Sequence, residues 1–142
     1  MRRYLLDSPL LAAYLNGRPA AVSLVTPWID SKEVATSILV YAEVTEYLRS
    51  LRNAPQRQEQ LRRVLRAIYP YFLTYRILER YADIRRQLRA PHGPGLIGDM
   101  DTLIAAVALE RNLTLVTTDF KRVPNLKVML VPREDLRRKP ND

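Results

Sequence analysis

The feature that most constrains the fold is a helix-length apolar segment followed directly by a strand-length one. Between Gly98 and Asn112 the apolar residues recur at the three- and four-residue spacing of an amphipathic helix. Residues 113–118 then consist of leucine, valine and threonine, which is typical of a buried strand. Ala105 and Ala106 are small enough for the helix to lie close to a sheet. The segment therefore predicts an α/β fold in which this helix is a core element.

Two carboxylates, Asp99 and Asp101, stand at the start of this helix. An aspartate in the first turn complements the helix dipole or caps the free N–H groups, and this favours a capping role for Asp99. Residues two apart on a helix point to different sides. Asp101 is therefore the better candidate for a functional site, and Asp99 for a cap or an additional outer acid.

Another acid, Asp7, follows a short apolar strand near the N-terminus. Residues 3–6 predict the strand, and Ser8 and Pro9 are typical of a helix start. This order places Asp7 at the carboxyl end of a parallel strand, where open α/β sheets hold their ligands. Capping of the helix explains Asp7 equally well, so both interpretations stay open.

Glu43 is a further candidate acid. It lies on the apolar face of a helix predicted over residues 38–49, which follows a short strand predicted over 33–37. A carboxylate on an apolar face is uncommon unless something pairs with it. Glu43 is therefore a better candidate than Glu46. Ser37, where strand meets helix, could support a ligand carboxylate, but a bond to local backbone is the favoured interpretation.

The rest of the chain predicts supporting elements. Residues 56–69 and 75–89 predict two arginine-rich amphipathic helices that form a hairpin standing off the sheet. Pro27 is expected to end an apolar run, and residues 126–131 predict a final edge strand. His92 lies in a loop rich in proline and glycine, so we expect it to be exposed rather than a ligand.

Composition bounds the class of protein. The chain of 142 residues fits one domain, predicted over 1–132, with a basic tail over 133–142 that we expect to be disordered. The absence of cysteine excludes disulfides, thiolate catalysis and cysteine metal sites. The apolar runs are shorter than the roughly 20 residues of a bilayer span, and the N-terminus lacks a signal-peptide core. We therefore expect a cytoplasmic protein that does not contact membranes.

The net charge of +8 favours a polyanionic partner, nucleic acid above all, although a charged helix face is most often only solvated. Four acids lie near strand ends or on a helix flank that a strand end could face. Such a cluster is tenable when a divalent cation neutralises it, and Mg²⁺ or Mn²⁺ suits an all-oxygen site. Carboxylates holding such ions can activate water and clamp a phosphodiester for hydrolysis. The four candidate catalytic and metal-binding acids are Asp7, Glu43, Asp101 and Asp119.

These residues also carry a family resemblance. The segments 4–7, 36–43, 97–106 and 115–120 resemble the four sequence blocks of the PIN-domain family, and more specifically those of VapC-type toxins of VapBC toxin-antitoxin modules. The resemblance implies a parallel sheet flanked by helices, Mg²⁺-dependent endoribonuclease activity on RNA, a VapB-like antitoxin and a homodimer. It makes Asp7, Glu43, Asp101 and Asp119 the metal-site acids, with Asp99 as an additional acid. Ser8 keeps the hydroxyl of the first block, and Ser8 and Ser37 are the candidates for supporting positions.

The sequence departs from the family pattern at two places. Pro9 stands where relatives usually carry an amide side chain, and the last block is short, so that Asp119 could align with either of two family acids. These departures motivate an alternative function, a PIN-fold module that binds RNA or protein without catalysis. A phospho-accepting signalling receiver would require an acid pair at the first strand, which is missing, and a lysine after a late strand, for which Lys121 is available.

Overall fold

The structure is a computed structural model that describes residues 1–141. Strands and helices alternate along the chain. The strands are β1 (Tyr4–Leu6), β2 (Val34–Ser37), β3 (Tyr69–Tyr71), β4 (Thr114–Thr117) and β5 (Val128–Leu130). The helices are α1 (Ser8–Leu15), α2 (Pro19–Asp30), α3 (Ile38–Arg49), α4 (Ala54–Val64), α5 (Tyr75–Leu88), α6 (Asp99–Glu110) and α7 (Arg133–Arg137).

The strands form one parallel sheet in the order β3-β2-β1-β4-β5. Consecutive residues of the central strands, such as Leu5 and Leu6, are fully buried, as expected when both faces of a parallel sheet are covered. Leu6 lies beside Val116 in the register of β1 with β4. Because the strands run in one direction, the residues that follow β1, β2 and β4 lie at a single edge of the sheet. The predicted parallel α/β fold is confirmed.

The helices bury the faces of this sheet. Helix α1 packs on α2, α3 and α7, whereas α5 packs chiefly on α6. Helix α6 buries a continuous run from Ile104 to Ala108, and its alanines allow the close approach that the sequence predicts. Full burial of one large aliphatic side chain contributes about 1.5–3 kcal/mol to folding. No helix in residues 1–141 combines the length and the apolar character needed to cross a membrane.

Small polar side chains fix where several helices begin. Ser37 Oγ accepts hydrogen bonds from two backbone N–H groups in the first turn of α3, at 3.1 and 3.3 Å. Thr74 Oγ1 accepts one from the first turn of α5 at 3.2 Å. Pro9 lies in the first turn of α1, where its missing N–H has no intrahelical partner to lose. Ser37 therefore bonds local backbone, which was the favoured interpretation.

The predicted hairpin of the two arginine-rich helices is wrong. Helix α4 ends at Val64 and packs on α3, and α5 packs on α6. Between them β3 joins the sheet, with Pro70 beside Thr36 of β2. Proline is tolerated because β3 is an edge strand. In such a strand alternate backbone N–H groups face away from the sheet, so a missing N–H costs no hydrogen bond of the ladder. Strand formation at this edge separates the two helices.

Pro27 also differs from its expected role, because α2 continues through it to Asp30. Proline removes one N–H from the helical ladder, which leaves the carbonyl of Ser23 without its usual donor. Both residues are exposed, so water can satisfy that carbonyl. The helix thus keeps a proline that a buried helix could not accommodate so easily.

The expectation of a disordered tail is wrong for residues 133–137, which form α7. Leu136 is buried against the rest of the fold, and α7 contacts α1 and α2. One leucine among charged residues gives no helical periodicity, so the sequence pattern could not reveal this helix. Residue 142 of the predicted tail lies outside the described residues.

Candidate active site

The candidate acids are positioned by the carboxyl edge of the sheet. Asp7 follows β1 directly, Asp101 lies in the first turn of α6, and Glu43 lies in the second turn of α3, which continues from β2. Asp119 comes two residues after β4. Parallel strands direct these connections to the same side of the molecule, which is where α/β folds hold their ligands.

Asp7 is 5% exposed, and both of its oxygens accept hydrogen bonds. Oδ1 accepts from the backbone N–H of Ser8 at 2.8 Å and thereby caps α1. Oδ2 accepts from the hydroxyl of Thr117, the last residue of β4, at 2.7 Å. The two interpretations of Asp7 are therefore compatible: the same carboxylate caps a helix and stands in the acid cluster. Thr117 was not among the sequence candidates, although a threonine at the end of a buried strand is a signal that could have identified it.

Glu43 lies beside Asp7 and Asp101. The hydroxyl of Ser8 donates to Glu43 Oε1 at 2.5 Å, which places Ser8 in contact with a candidate acid. Burial raises the pKa of Glu43, and the negative charges of Asp7 and Asp101 raise it further. The bond from Ser8 and the charge of Lys121 act in the opposite direction. These three carboxylates therefore form one electrostatic unit.

Asp101 is paired with Lys121, at 3.2 Å between Oδ2 and Nζ. The Lys121 side chain is only 12% exposed, whereas that of Asp101 is 41% exposed. Sequence analysis considered Lys121 only for a signalling receiver and did not include it in this site. Its position four residues after the end of β4 was the available signal.

Asp119 has its own partner, Arg133, and shares with this unit only the charge of Lys121. Both of its oxygens accept from one Arg133 nitrogen, Nη2, at 2.8 and 2.7 Å, and its side chain is half exposed. Arg133, through this bonding, holds the pKa of Asp119 below its ordinary value. The charges that shift the pKa of Glu43 come from Asp7, Asp101 and Lys121. The structure therefore assigns Asp119 to a contact with α7.

Asp99 also points away from the three acids. Its Oδ1 accepts from the hydroxyl of Tyr81 at 2.9 Å and from Arg85 Nη1 at 2.8 Å, so it joins α6 to α5. The expectation that Asp99 caps α6 is wrong, because Gly98 is the cap residue and no side chain bonds the free N–H groups there. The chain enters α6 one residue earlier than that expectation required.

Asp7, Glu43 and Asp101 are the residues that could hold a cation. Within residues 1–141, no three Asp, Glu or His side chains are arranged at metal-ligand spacing. Lys121 occupies one oxygen of Asp101, and hydroxyl groups occupy oxygens of the other two acids. The donor set itself fits Mg²⁺ or Mn²⁺, because it offers only hard carboxylate oxygens and carries mutual repulsion that a divalent ion would neutralise.

A groove of about 360 Å³ lies next to this site, between α1 and α7. Pro9 and Thr118, which line one part of it, each follow a residue that bonds a candidate acid. The Thr118 hydroxyl is buried without a partner. The rest of the lining combines apolar residues with basic and polar ones: Ala12, Ala13, Leu136, Arg18, Arg133, Arg137, Asn16 and Tyr47. A negatively charged chain could follow this groove to the acids.

Comparison with known proteins assigns the class. A family model described as PIN domain matches residues 4–126. The chain therefore belongs to the PIN domain family, and the predicted resemblance is confirmed.

Two similar proteins are named VapC. Ribonuclease VapC2 from Rickettsia felis is 29% identical over 128 residues, which cover 87% of this chain and 93% of the relative. Ribonuclease VapC from Rickettsia bellii is 55% identical over 42 residues, a stretch that covers 28% of this chain and 31% of that relative. The crystal structure of VapBC2 from Rickettsia felis bound to a DNA fragment from their promoter matches with a TM-score of 0.78 and 25% identity. That match covers 90% of this chain and 98% of the other.

Proposed function

We propose that this protein is a metal-dependent endoribonuclease of the VapC type that hydrolyses RNA phosphodiester bonds. The observation that carries the proposal is the position of Asp7, Glu43 and Asp101 at the carboxyl edge of the sheet, where Ser8 donates hydrogen bonds to both Asp7 and Glu43. The names of the relatives, Ribonuclease VapC2 and Ribonuclease VapC, support RNA as the substrate class.

The cofactor in this proposal is Mg²⁺, with Mn²⁺ as a substitute. When bound, such an ion lowers the pKa of its water and neutralises charge that develops on the phosphate. Asp7, Glu43 and Asp101 would hold it through their carboxylate oxygens. Asp119 stays a candidate fourth ligand, available to the site only when Arg133 releases it.

Two hydroxyl groups prepare the carboxylates for this role. Ser8 donates to Glu43, and Thr117 donates to Asp7, so each acid keeps a fixed orientation. A hydrogen bond from a neighbouring group that orients a ligand typically matters 10–100-fold for metal affinity or activity. Ser8 and Thr117 are therefore proposed as positioning residues.

The substrate would be held by the basic groove beside the acids. Arg18 and Arg137 line it, and neither side chain has a hydrogen-bond or ion-pair partner among residues 1–141. Guanidinium groups bind phosphate oxygens and give an affinity that falls with salt. Several other arginines already form ion pairs within the fold, among them Arg76 and Arg80 with Glu110. These arginines contribute less to RNA affinity.

The wider biology follows the family. We propose that the protein is the toxin of a VapBC module, acts in the cytoplasm, forms a homodimer and is inhibited by a VapB-like antitoxin. The match to VapBC2 from Rickettsia felis supports the antitoxin partner.

A binding module without catalysis is the second candidate function. The ion pair of Asp101 with Lys121, and the lack of three acids at metal-ligand spacing in residues 1–141, favour it. Such a module would bind RNA or protein through the same basic groove and would leave the RNA intact.

The experiment that separates these functions uses two glutamates of α3. Purified protein is incubated with mixed RNA and Mg²⁺, with and without EDTA, beside Glu43→Gln and the control Glu46→Gln. Glu46 is exposed on the same helix, three residues from Glu43. We expect cleavage by the unmodified protein and by Glu46→Gln, and loss with EDTA or in Glu43→Gln. RNA binding without any cleavage would establish the second candidate, and cleavage unaffected by Glu43→Gln would remove the proposed mechanism.

A further inference from the structure

Lys121 is the most buried cation among the ion pairs of the described residues. Its side chain is 12% exposed, whereas the arginines in the surface pairs Arg3 with Glu33 and Arg133 with Asp119 are more than half exposed. Lysine is rarely buried unless it is paired, because its ammonium group loses hydration. The sequence therefore keeps a positive charge at this point despite a cost that the surface pairs avoid.

The ammonium group faces the acids that are proposed to hold the metal. Lys121 Nζ lies 3.2 Å from Asp101 Oδ2, and its charge also acts on Glu43 and Asp119. One positive charge next to Asp101 and Glu43 reduces the repulsion within the acid cluster but does not balance the three carboxylates of Asp7, Glu43 and Asp101. The site formed by these three acids, called the pocket below, can thus persist without a metal ion and still favour binding of a divalent one.

We propose that Lys121 is a built-in counter-ion that shares Asp101 with the divalent cation and sets the affinity of the pocket for that cation. This inference rests on the proposed function, because it takes Asp7, Glu43 and Asp101 as the metal ligands. In the metal-free protein the lysine holds one oxygen of Asp101. A metal ion bound at Asp101 would be a second cation on the same carboxylate, so the ion and the ammonium group compete for it.

The competition has two consequences with opposite signs. Without Lys121, Asp101 is free to bind a metal ion, and no positive charge repels that ion, so affinity rises. The same change leaves the three carboxylates uncompensated, so the metal-free protein unfolds at a lower temperature. A lysine with a purely structural role would produce the second effect without the first.

The test measures Mn²⁺ affinity directly, by calorimetry and by the electron paramagnetic resonance signal of free Mn²⁺. The full-length metal-free protein is compared with Lys121→Met, Lys121→Arg and the control Lys127→Met. Lys127 is exposed and precedes β5, so its removal changes the net charge equally without touching the acids. We expect about tenfold tighter Mn²⁺ binding by Lys121→Met. Lys121→Arg and Lys127→Met should remain near the unmodified protein.

Each other outcome is informative. Equal or weaker Mn²⁺ binding by Lys121→Met overturns the inference while the metal site itself stands. Equal tightening by Lys127→Met also overturns it, because the effect would then come from net charge. If the unmodified protein and the Lys121 variants all fail to bind Mn²⁺, the proposed function fails as well. If Lys121→Met does not fold, Lys121→Gln, which keeps a polar head in the pocket, takes its place in the same comparison.

Discussion

Asp99 and Asp101 lie in the same turn of α6, yet they belong to two different regions of the molecule. Asp99 is 70% exposed and bonds Arg85 and Tyr81 on the outer side of α5. Asp101 is 41% exposed and pairs with Lys121 beside two further carboxylates. Residues two positions apart on a helix point in directions about 200° apart. One aspartate therefore stabilises the packing of α5 on α6, and the other faces the cluster of Asp7 and Glu43.

The two regions differ in charge balance. On the outer surface two acids, Asp99 and Glu110, meet three arginines, Arg76, Arg80 and Arg85. In the pocket three acids meet one lysine. On the outer surface each of the two acids has an arginine partner. Three carboxylates that share one lysine repel one another, and this repulsion destabilises the fold unless a cation is bound. The comparison teaches that an excess of carboxylates over basic partners, rather than the number of ion pairs, distinguishes the candidate active site from the outer surface.

The largest expected difference between the regions is in RNA cleavage. Asp101→Asn should lower the Mg²⁺-dependent rate of RNA cleavage by at least about 100-fold. The variant loses one of the carboxylates proposed to hold the metal ion that stabilises charge on the reacting phosphate. Asp99→Asn should stay within about threefold of the unmodified protein. Initial rates on one RNA substrate measure both variants. Equal losses in the two variants would erase the distinction between the regions.

A smaller difference is expected in stability without metal. The pKa of Glu43 is raised above its ordinary value of 4.5, so the folded protein holds that proton more tightly than the unfolded chain does. This contribution to stability is present at low pH and is lost as the pH rises through the folded pKa. At neutral pH the ionised Glu43 therefore destabilises the fold, and Glu43→Gln should raise the unfolding midpoint. The gain should disappear below about pH 4, where Glu43 is protonated in both states.

The control for this prediction is Glu110→Gln on the outer surface. Glu110 accepts from Arg80 and lies 3.4 Å from Arg76, so its removal should lower the unfolding midpoint. Thermal unfolding of both variants, in EDTA and at several pH values, measures whether the unfolding midpoint rises in Glu43→Gln and falls in Glu110→Gln. A lower midpoint for Glu43→Gln at neutral pH would contradict the assignment of uncompensated charge to the pocket.

The smallest expected effect concerns the surface pair itself. Asp99→Asn should destabilise the protein by less than about 1 kcal/mol, the usual range for an exposed ion pair. Because salt screens exposed charges, the difference from the unmodified protein should shrink in about 1 M NaCl. Chemical denaturation by urea at two salt concentrations gives both values. A loss that persists undiminished at high salt would mean that Asp99 acts through packing rather than charge.

Much of the fold could be predicted because local patterns and tertiary structure agree. The apolar spacing before Asn112 predicts α6, and the segment after it predicts β4, as the structure confirms. A helix begins at Tyr75 and His92 is exposed, both as predicted. The elements absent from the prediction, β3 and α7, are short and depend on contacts distant in sequence. Pairing with β2 makes Pro70 part of a strand, and packing on α1 and α2 orders Leu136.

The site was predictable to the extent that strand ends determine it. Asp7, Glu43 and Asp101 follow from the order of strands and helices, and the structure places each of them at the carboxyl edge of the sheet. Their role as metal ligands stays a prediction. For Lys121 the only signal was its position after β4, which does not identify Asp101 as its partner. Arg133 was beyond such reasoning, because its pairing with Asp119 depends on how helix α7 folds back on the domain. Whether Pro9 and the short last block reduce activity stays a prediction for the cleavage assay.

The central claim is that Asp7, Glu43 and Asp101 bind one divalent cation together. Anomalous diffraction from crystals of the protein grown with Mn²⁺ tests it most directly. The account predicts an anomalous peak within about 2.5 Å of oxygens from at least two of these carboxylates, with Lys121 Nζ withdrawn from Asp101. A peak held by other residues, or no peak near these acids at saturating Mn²⁺, would contradict the account.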